Sequence, residues 1–174
     1  MLSLKHTLLA MLAVAFSFFQ CNAVAVSEYT HSDPLTKHIE THCRTGCVDS
    51  ALLRVAIQEA TERTKVDPLL MAAVIHVESK FQQRALNTIN GRSVGLTQVQ
   101  VRWHKSRFHT KDYFDVFENV YAGSEILKEC LERHHGSAKK ALWCYNGHSR
   151  HGMREYVPKV LAVYAGLKQQ HIVI

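Results

Sequence analysis

Apolar residues recur at helical spacing through most of the chain after residue 48, and this pattern constrains the fold more than any other feature. Asp67-Pro68 is a helix start signal, because Asp can cap the helix and Pro can occupy its first position without losing a hydrogen bond. Asp49 or Ser50 can cap the helix before it. Strand-like alternation is scarce and no repeat is found, so the sequence predicts a mainly α domain with little or no β-structure. The predicted helices cover about 49–64, 67–80, 115–133, 137–145 and 154–169.

The first 25 residues are interpreted as a cleavable signal peptide. Lys5 precedes an apolar run from Leu8 to Phe19, which is shorter than the roughly 20 residues of a membrane span, and Ala23-Val24-Ala25 offers a small-x-small cleavage site. Two alternatives stay open, namely lipidation at Cys21 and an uncleaved N-terminal anchor. We expect a protein exported to the periplasm or beyond, with no membrane span after cleavage.

The rest of the chain is divided into two parts. Residues 26–48 are polar and lack a clear period, which indicates an N-terminal extension, and 49–170 form one predicted domain. Loss of Lys5 with the signal lowers the net charge from +6 to +5. This modest basic excess suits peptidoglycan, nucleic acid or anionic lipid alike. The export signal argues against nucleic acid, so no nucleic-acid partner is expected.

Four cysteines remain after cleavage, and an even number in an exported chain indicates disulfides. Of the three pairings, the favoured one is local, with short loops closed by Cys43–Cys47 and Cys130–Cys144. A zinc site made from Cys43, Cys47 and the nearby His38 and His42 is the alternative. Its ligands do not have a zinc-finger arrangement, so neither a metal nor a cofactor is expected.

Glu78 is the candidate acid/base. Met71, Val74 and Ile75 precede it by seven, four and three residues, which places Glu78 at the end of an apolar helix face. Desolvation and the negative end of the helix dipole both raise the pKa of such a carboxyl group. A carboxylic acid that keeps its proton near neutral pH can protonate the leaving oxygen in glycoside cleavage. A surface glutamate near a helix end is the plainer interpretation.

Four short motifs follow one another in the chain: Glu78-Ser79-Lys80-Phe81, Gly95-Leu96-Thr97-Gln98, Asn119-Val120-Tyr121-Ala122-Gly123, and Ala141 to Gly147, which reads Ala-Leu-Trp-Cys-Tyr-Asn-Gly. In this order the set resembles the soluble lytic transglycosylase family, whose fold is related to goose-type lysozyme. The resemblance covers about residues 49–168. It implies a lysozyme-like transglycosylase domain.

The resemblance also implies a mechanism. Glu78 would protonate the glycosidic oxygen of peptidoglycan and then act as base, while the sugar's own 6-hydroxyl attacks and leaves a 1,6-anhydroMurNAc end. Tyr145 could in addition bond Glu78 and hold its rotamer. Small family members often serve a secretion, conjugation or pilus machine that crosses the wall, and a monomer is expected. The implied substrate-binding residues are Gln98, Tyr145, Asn146, Asn119, Asn87 and Ser79.

Several positions depart from the family pattern. Thr97 stands where Met is usual, Asn87 where Ser is usual, and Cys144 where a small Ala is usual. The loop before Gln98 is about two residues longer. These changes concern the surroundings of the proton-transfer group rather than the group itself, so activity is expected.

The stretch that should line the cleft contains no acid between Ser79 and Lys111, which supports a mechanism with one carboxylate. It carries seven basic residues, which form either a cleft wall or a solvated surface. Trp103 and Trp143 are interpreted as core residues, with sugar stacking as the alternative. The competing functions are a lysozyme-type hydrolase and a wall-binding assembly protein without activity.

Overall fold

The structure, a computed structural model, describes residues 33–89 and 92–172. The predicted signal peptide and Cys21 lie outside these residues. No helix in the described part of the chain is both long enough and apolar enough to cross a membrane. The helices are α1 (Pro34–His42), α2 (Ser50–Thr64), α3 (Pro68–Ser79), α4 (Val101–His104), α5 (Val116–Arg133), α6 (Ala138–Tyr145) and α7 (Val157–Ile172).

A small antiparallel sheet interrupts the helices. Its strands are β1 (Leu86–Asn87), β2 (Ser93–Val94) and β3 (Val99–Gln100), in the order β1-β2-β3. Val94 in the middle strand faces Leu86 on one side and Val99 on the other. The mainly α prediction is therefore confirmed, and the β-structure amounts to this one sheet among the described residues.

Helix α3 is the central helix of the core. All six residues from Leu70 to Ile75 are buried, rather than only the predicted stripe of Met71, Val74 and Ile75. The helix packs against α1, α2 and α7. A helix that is apolar all round is typical of a core position, and here it brings Glu78 from the core towards the surface.

Aspartate caps fix the starts of three long helices, as two of the start signals predict. Asp49, Asp67 and Asp115 each accept backbone N–H bonds in the first turn of α2, α3 and α5. Asp67 has a second role, because its other carboxylate oxygen accepts a 2.7 Å bond from the Tyr164 hydroxyl. This bond joins the start of α3 to α7.

Helix α1 lies within 26–48, the polar stretch without a clear period that is interpreted from the sequence as an N-terminal extension. Leu35 and Ile39, one turn apart, are buried in the common core. The compact unit therefore begins at Pro34 rather than at residue 49. Two apolar positions in a nine-residue helix are too few to show a period, and tertiary packing stabilises such a short helix.

Both disulfides have the predicted local pairing. Cys43–Cys47 closes the turn after α1, and Cys130–Cys144 joins α5 to α6. The zinc site built on Cys43 and Cys47 is therefore wrong, because both sulfurs are covalently paired.

Pro158 lies in the first turn of α7, directly after a π-helical turn at Gly152–Tyr156. It marks a helix start, where its missing N–H does least harm.

Candidate functional site

A cleft of about 530 Å³ opens beside the C-terminal end of α3. Glu78 lies in it as the next-to-last residue of the helix, and its side chain keeps partial solvent exposure. The chain leaves α3 through Lys80 and Phe81, which both have positive φ, and Phe81 is fully buried. The cleft is also lined by residues of the sheet, α4, α5 and α6.

The carboxyl group of Glu78 has the acidity that the sequence argument requires. Burial raises the pKa of Glu78 from 4.5 to about 7, while the nearby Tyr156 hydroxyl acts in the opposite direction. Near neutral pH the group is therefore divided between its acid and its carboxylate. It can donate a proton in one step and accept one in the next.

Tyr156 is a site residue that the sequence argument did not find. Its side chain is 8% exposed, and its hydroxyl has no partner of ordinary hydrogen-bond geometry among the described residues. It nevertheless lies near enough to Glu78 for each group to shift the pKa of the other. Tyr156 therefore lies beside the carboxyl group, and Tyr145 is also close enough for Glu78 to raise its pKa.

Replacing Tyr156 by phenylalanine is expected to raise the pKa of Glu78, because the variant loses the neighbouring hydroxyl that lowers it. Where protonated Glu78 limits the rate, the alkaline limb of the pH–rate profile should move to higher pH. Profiles of kcat/KM for the two proteins measure this shift. An unchanged limb with reduced activity would mean that Tyr156 serves the fold alone.

The loop from Gly95 to Gln98 forms the wall of the cleft and rests on α5. The Asn119 side chain is fully buried beneath it. Its Oδ1 accepts a 2.9 Å bond from the backbone N–H of Thr97, and its Nδ2 donates 3.0 Å bonds to the carbonyls of Val94 and Tyr113. Asn119 therefore holds the loop from below and does not line the cleft.

Two glycines allow this close approach. Gly95 has a φ of +74°, and a Cβ there would overlap the Asn119 side chain. Gly123 lies one turn after Asn119 on α5, and a Cβ there would overlap the side chain of Thr97. The second and third sequence motifs are thus two halves of one packing arrangement.

Thr97, which departs from the family pattern, is accommodated by this arrangement. It is fully buried, and its hydroxyl donates to the Asn119 carbonyl at 2.9 Å. Its own carbonyl accepts a 2.8 Å bond from the Tyr145 hydroxyl. The expected bond from Tyr145 to Glu78 is therefore replaced by a bond to the loop, and Tyr145 joins the loop to α6.

The remaining predicted substrate-binding residues are divided by the structure. Gln98, Asn87 and Asn146 line the cleft together with Tyr145 and Glu78. The Gln98 amide donates to the carbonyls of Ala85 and Gly95 at 3.2 and 3.0 Å, which holds its side chain across the loop. Ser79 is buried and donates to the Ile75 carbonyl within α3, so it lies away from the cleft lining.

A second carboxylate lines the cleft, which the acid-free stretch did not reveal. Glu129 comes from α5, and both of its oxygens accept bonds from Arg107, at 2.9 and 2.8 Å. Arg107 also lies 3.6 Å from Glu125. The Glu129 carboxylate is therefore paired with a cation, whereas Glu78 has no ion pair among the described residues.

The interpretation of Trp103 as a core residue is wrong. Its side chain is 67% exposed and lines the cleft, with the Arg102 guanidinium 4.8 Å from its ring. An exposed aromatic face in a polar cleft suits stacking against a sugar ring. The seven basic residues of the acid-free stretch do not form the cleft wall that was one interpretation of them. None of the following belongs to the described lining: Lys80, Arg84, Arg92, Arg102, Lys105, Arg107 and Lys111.

Comparison with known proteins agrees with this geometry. The family profile described as the transglycosylase SLT domain matches residues 55–156, more than half of the chain. The chain belongs to this family. The matched range of the SLT domain contains Glu78, the loop, Asn119 and Tyr145, and it ends at Tyr156. Its mainly α architecture is the lysozyme-like fold that the sequence motifs predict.

One relative of this SLT-family chain is a transglycosylase of Enterobacteria phage PRD1. The two are 33% identical over 91 residues, which is 52% of this chain. The chain spans about a third of the length of that relative. Helix α1 lies outside the SLT match, so the family match does not account for that helix.

Proposed function

We propose that this protein is an exported peptidoglycan lytic transglycosylase, with Glu78 as its one catalytic acid/base. The observation that carries the proposal is a cleft carboxyl group whose pKa lies near 7 within a chain of the SLT family. The substrate is the β-1,4 bond from MurNAc to GlcNAc. No cofactor is needed, because both proton transfers use the same carboxyl group.

The proposed reaction proceeds in two steps. Protonated Glu78 donates its proton to the glycosidic oxygen as the bond from that oxygen to the MurNAc anomeric carbon breaks. The Glu78 carboxylate then takes the proton of the MurNAc 6-hydroxyl as its oxygen bonds to the same carbon. The products are a 1,6-anhydroMurNAc end and a free GlcNAc hydroxyl, and Glu78 regains its proton, so no water is consumed.

The cleft residues provide the binding groups for this reaction. Gln98, Asn87, Asn146 and Tyr145 lie on its walls, and Trp103 offers an exposed ring for a sugar face. Asn119 contributes by holding the loop that carries Gln98. Preorganised walls of this kind fix the glycosidic oxygen near its proton donor.

A lysozyme-type hydrolase is the second candidate, and Glu129 is the observation that favours it. A hydrolase with two carboxylates needs the second one free to activate water or to attack the sugar. Arg107 engages both oxygens of Glu129. We therefore assign Glu129 to an ion pair in the cleft wall rather than to the reaction.

Replacement of Glu129 by glutamine is accordingly expected to leave cleavage within about fivefold of wild type, since a partly exposed ion pair contributes at most about 1 kcal/mol. Initial rates on purified peptidoglycan measure the effect. Mass spectrometry of the same digests should show anhydroMurNAc ends for both proteins. Reducing MurNAc ends, together with loss of activity in the Glu129 variant, would establish the hydrolase instead.

Export and a place in a wall-crossing machine belong to the same proposal. N-terminal sequencing of the exported protein, with Val26 expected first, tests cleavage of residues 1–25. A secretion, conjugation or pilus machine that still assembles normally when E78Q replaces the wild-type protein would exclude that role. Size-exclusion chromatography tests the expected monomer.

A further inference from the structure

Three histidines meet on the side of α3 that faces α1. His38 and His42 are one turn apart on α1, and His76 comes from α3. His38 Nε2 lies 2.9 Å from His76 Nδ1, and each of the three rings contributes one nitrogen within 4.8 Å of the other two. None of the three lines the cleft that contains Glu78. The proposed reaction does not use this cluster.

The hydrogen bond made by His42 determines which of its nitrogens is free. Its Nδ1 lies 2.8 Å from the backbone carbonyl of His38. A carbonyl oxygen only accepts, so Nδ1 carries the hydrogen and Nε2 keeps a lone pair. A histidine that donates one N–H to a carbonyl and binds through the other nitrogen has the usual arrangement of a metal ligand.

His38 and His76 supply the second and third lone pairs. Their contact at 2.9 Å needs one hydrogen between two nitrogens, so the two rings share a single proton at this point. A metal ion can take the place of that proton if one ring changes tautomer. Burial lowers the pKa of His38 and of His76 to about 4, which keeps both rings in the neutral form that binds metals.

The spacing suits a small divalent cation. Zinc bound to imidazole at 2.0–2.1 Å in tetrahedral geometry places its ligand nitrogens about 3.3 Å apart. The observed separations, from 2.9 Å up to a limit of 4.8 Å, bracket this value, so small ring rotations would close the site. Imidazole ligands without a thiolate suit zinc, copper and nickel.

We propose that His38, His42 and His76 form a binding site for a divalent transition-metal ion that ties α1 to the central helix. Water would complete the coordination, because His42 is exposed and a pocket beside it opens to solvent. Arg44 and Lys80 also line that pocket, and their charges weaken the binding of a cation. The earlier zinc hypothesis is thereby replaced, since His76 takes the place of the disulfide-bonded cysteines.

Isothermal titration of the untagged, disulfide-intact protein with zinc chloride tests the site. Wild type is expected to bind one equivalent. His42→Ala should weaken binding by at least about tenfold, the smaller end of the loss seen when even an outer-shell partner is removed. His42 is exposed, so this variant keeps the core intact. One equivalent of zinc should also raise the melting temperature of wild type more than that of the variant.

Matched controls make the result specific. His151→Ala removes another exposed histidine that lies far along the chain from the three proposed ligands. This variant should bind zinc like wild type. Three results would overturn the proposal: no saturable binding by wild type, equal affinity in wild type and His42→Ala, or binding that appears only after the disulfides are reduced. His134 and His148 also lie near each other, with Cys144 of α6 beside them. Loss of binding in His134→Ala with full binding in His42→Ala would therefore also overturn the proposal, by placing the ion there. The readout is binding, so it is independent of cleavage activity.

Discussion

Replacement of Glu78 by glutamine is expected to reduce peptidoglycan cleavage by about 100-fold to 10,000-fold, the usual contribution of a general acid/base. Glutamine has nearly the same shape but can neither donate a proton to the glycosidic oxygen nor take one from the 6-hydroxyl. The measurement is the initial rate of release of anhydroMurNAc products from purified peptidoglycan. Cleavage at the wild-type rate would show that Glu78 is not the acid/base.

The same substitution should change stability in the opposite direction. The pKa of Glu78 is about 7 in the folded protein against an ordinary value of 4.5, so the folded state holds a proton that the unfolded state releases. This stabilisation is complete below about pH 4.5 and is lost as the pH rises through 7. Glutamine does not titrate, so it does not lose this stabilisation. The free energy of unfolding of E78Q relative to that of wild type should therefore rise by about 2 kcal/mol from pH 5 to pH 8.

Urea unfolding of both proteins at the two pH values measures this gain, and it serves as the folding control for the activity assay. The figure is smaller than the full pKa difference implies, because the Glu78 side chain keeps some contact with solvent. A constant difference in free energy between the two proteins at pH 5 and pH 8 would contradict the raised pKa. Lost activity with the expected gain would identify a folded but inactive enzyme.

Replacement of Asn119 by alanine is expected to lower the free energy of unfolding by about 3–5 kcal/mol. The variant leaves the buried N–H of Thr97, the buried carbonyl of Val94 and the partly buried carbonyl of Tyr113 without their partner, and each orphaned buried group costs about 1–3 kcal/mol. The cleft loop would also lose its support, so activity should fall with stability. Urea unfolding monitored by circular dichroism measures the free energy.

Asn87→Ala is the matched control, because it removes an exposed asparagine that lines the cleft itself rather than one buried beneath the loop. Among the described residues its side chain accepts one hydrogen bond, from the N–H of Ile89 at 2.9 Å. This variant should unfold within about 0.5 kcal/mol of wild type. Equal destabilisation by the two substitutions would show that burial of Asn119 beneath the loop is not what makes it important.

The sequence by itself determined five of the seven α-helices in the described part of the chain, together with the candidate acid. Asp49 and Asp67 cap the helices that their positions predict, and the boundaries agree within one or two residues. These signals are local, since a cap and its N–H partners lie within one turn. The short disulfide loops could be predicted for the same reason. Glu78 was found because an apolar helix face ends at a carboxyl group.

Only the tertiary structure decided what surrounds Glu78. Tyr156 reaches it from the turn before α7, 78 residues later in the chain. Glu129 enters the cleft from α5, and Tyr145 bonds the loop rather than the acid. Helical periodicity shows which residues face inward but does not show which inward face meets which other face. That pairing depends on how α3, α5 and α7 pack.

Helix α1 and the histidine cluster likewise depend on tertiary packing. Leu35 and Ile39 carry too little apolar pattern to predict a helix, and the core supplies its stability. His38 and His42 could be grouped from their spacing, whereas His76 joins them only because α1 packs on α3. Spacing along one helix is a property of the sequence. Contact between two helices is a property of the fold, because it depends on every other side chain that fills the core between them.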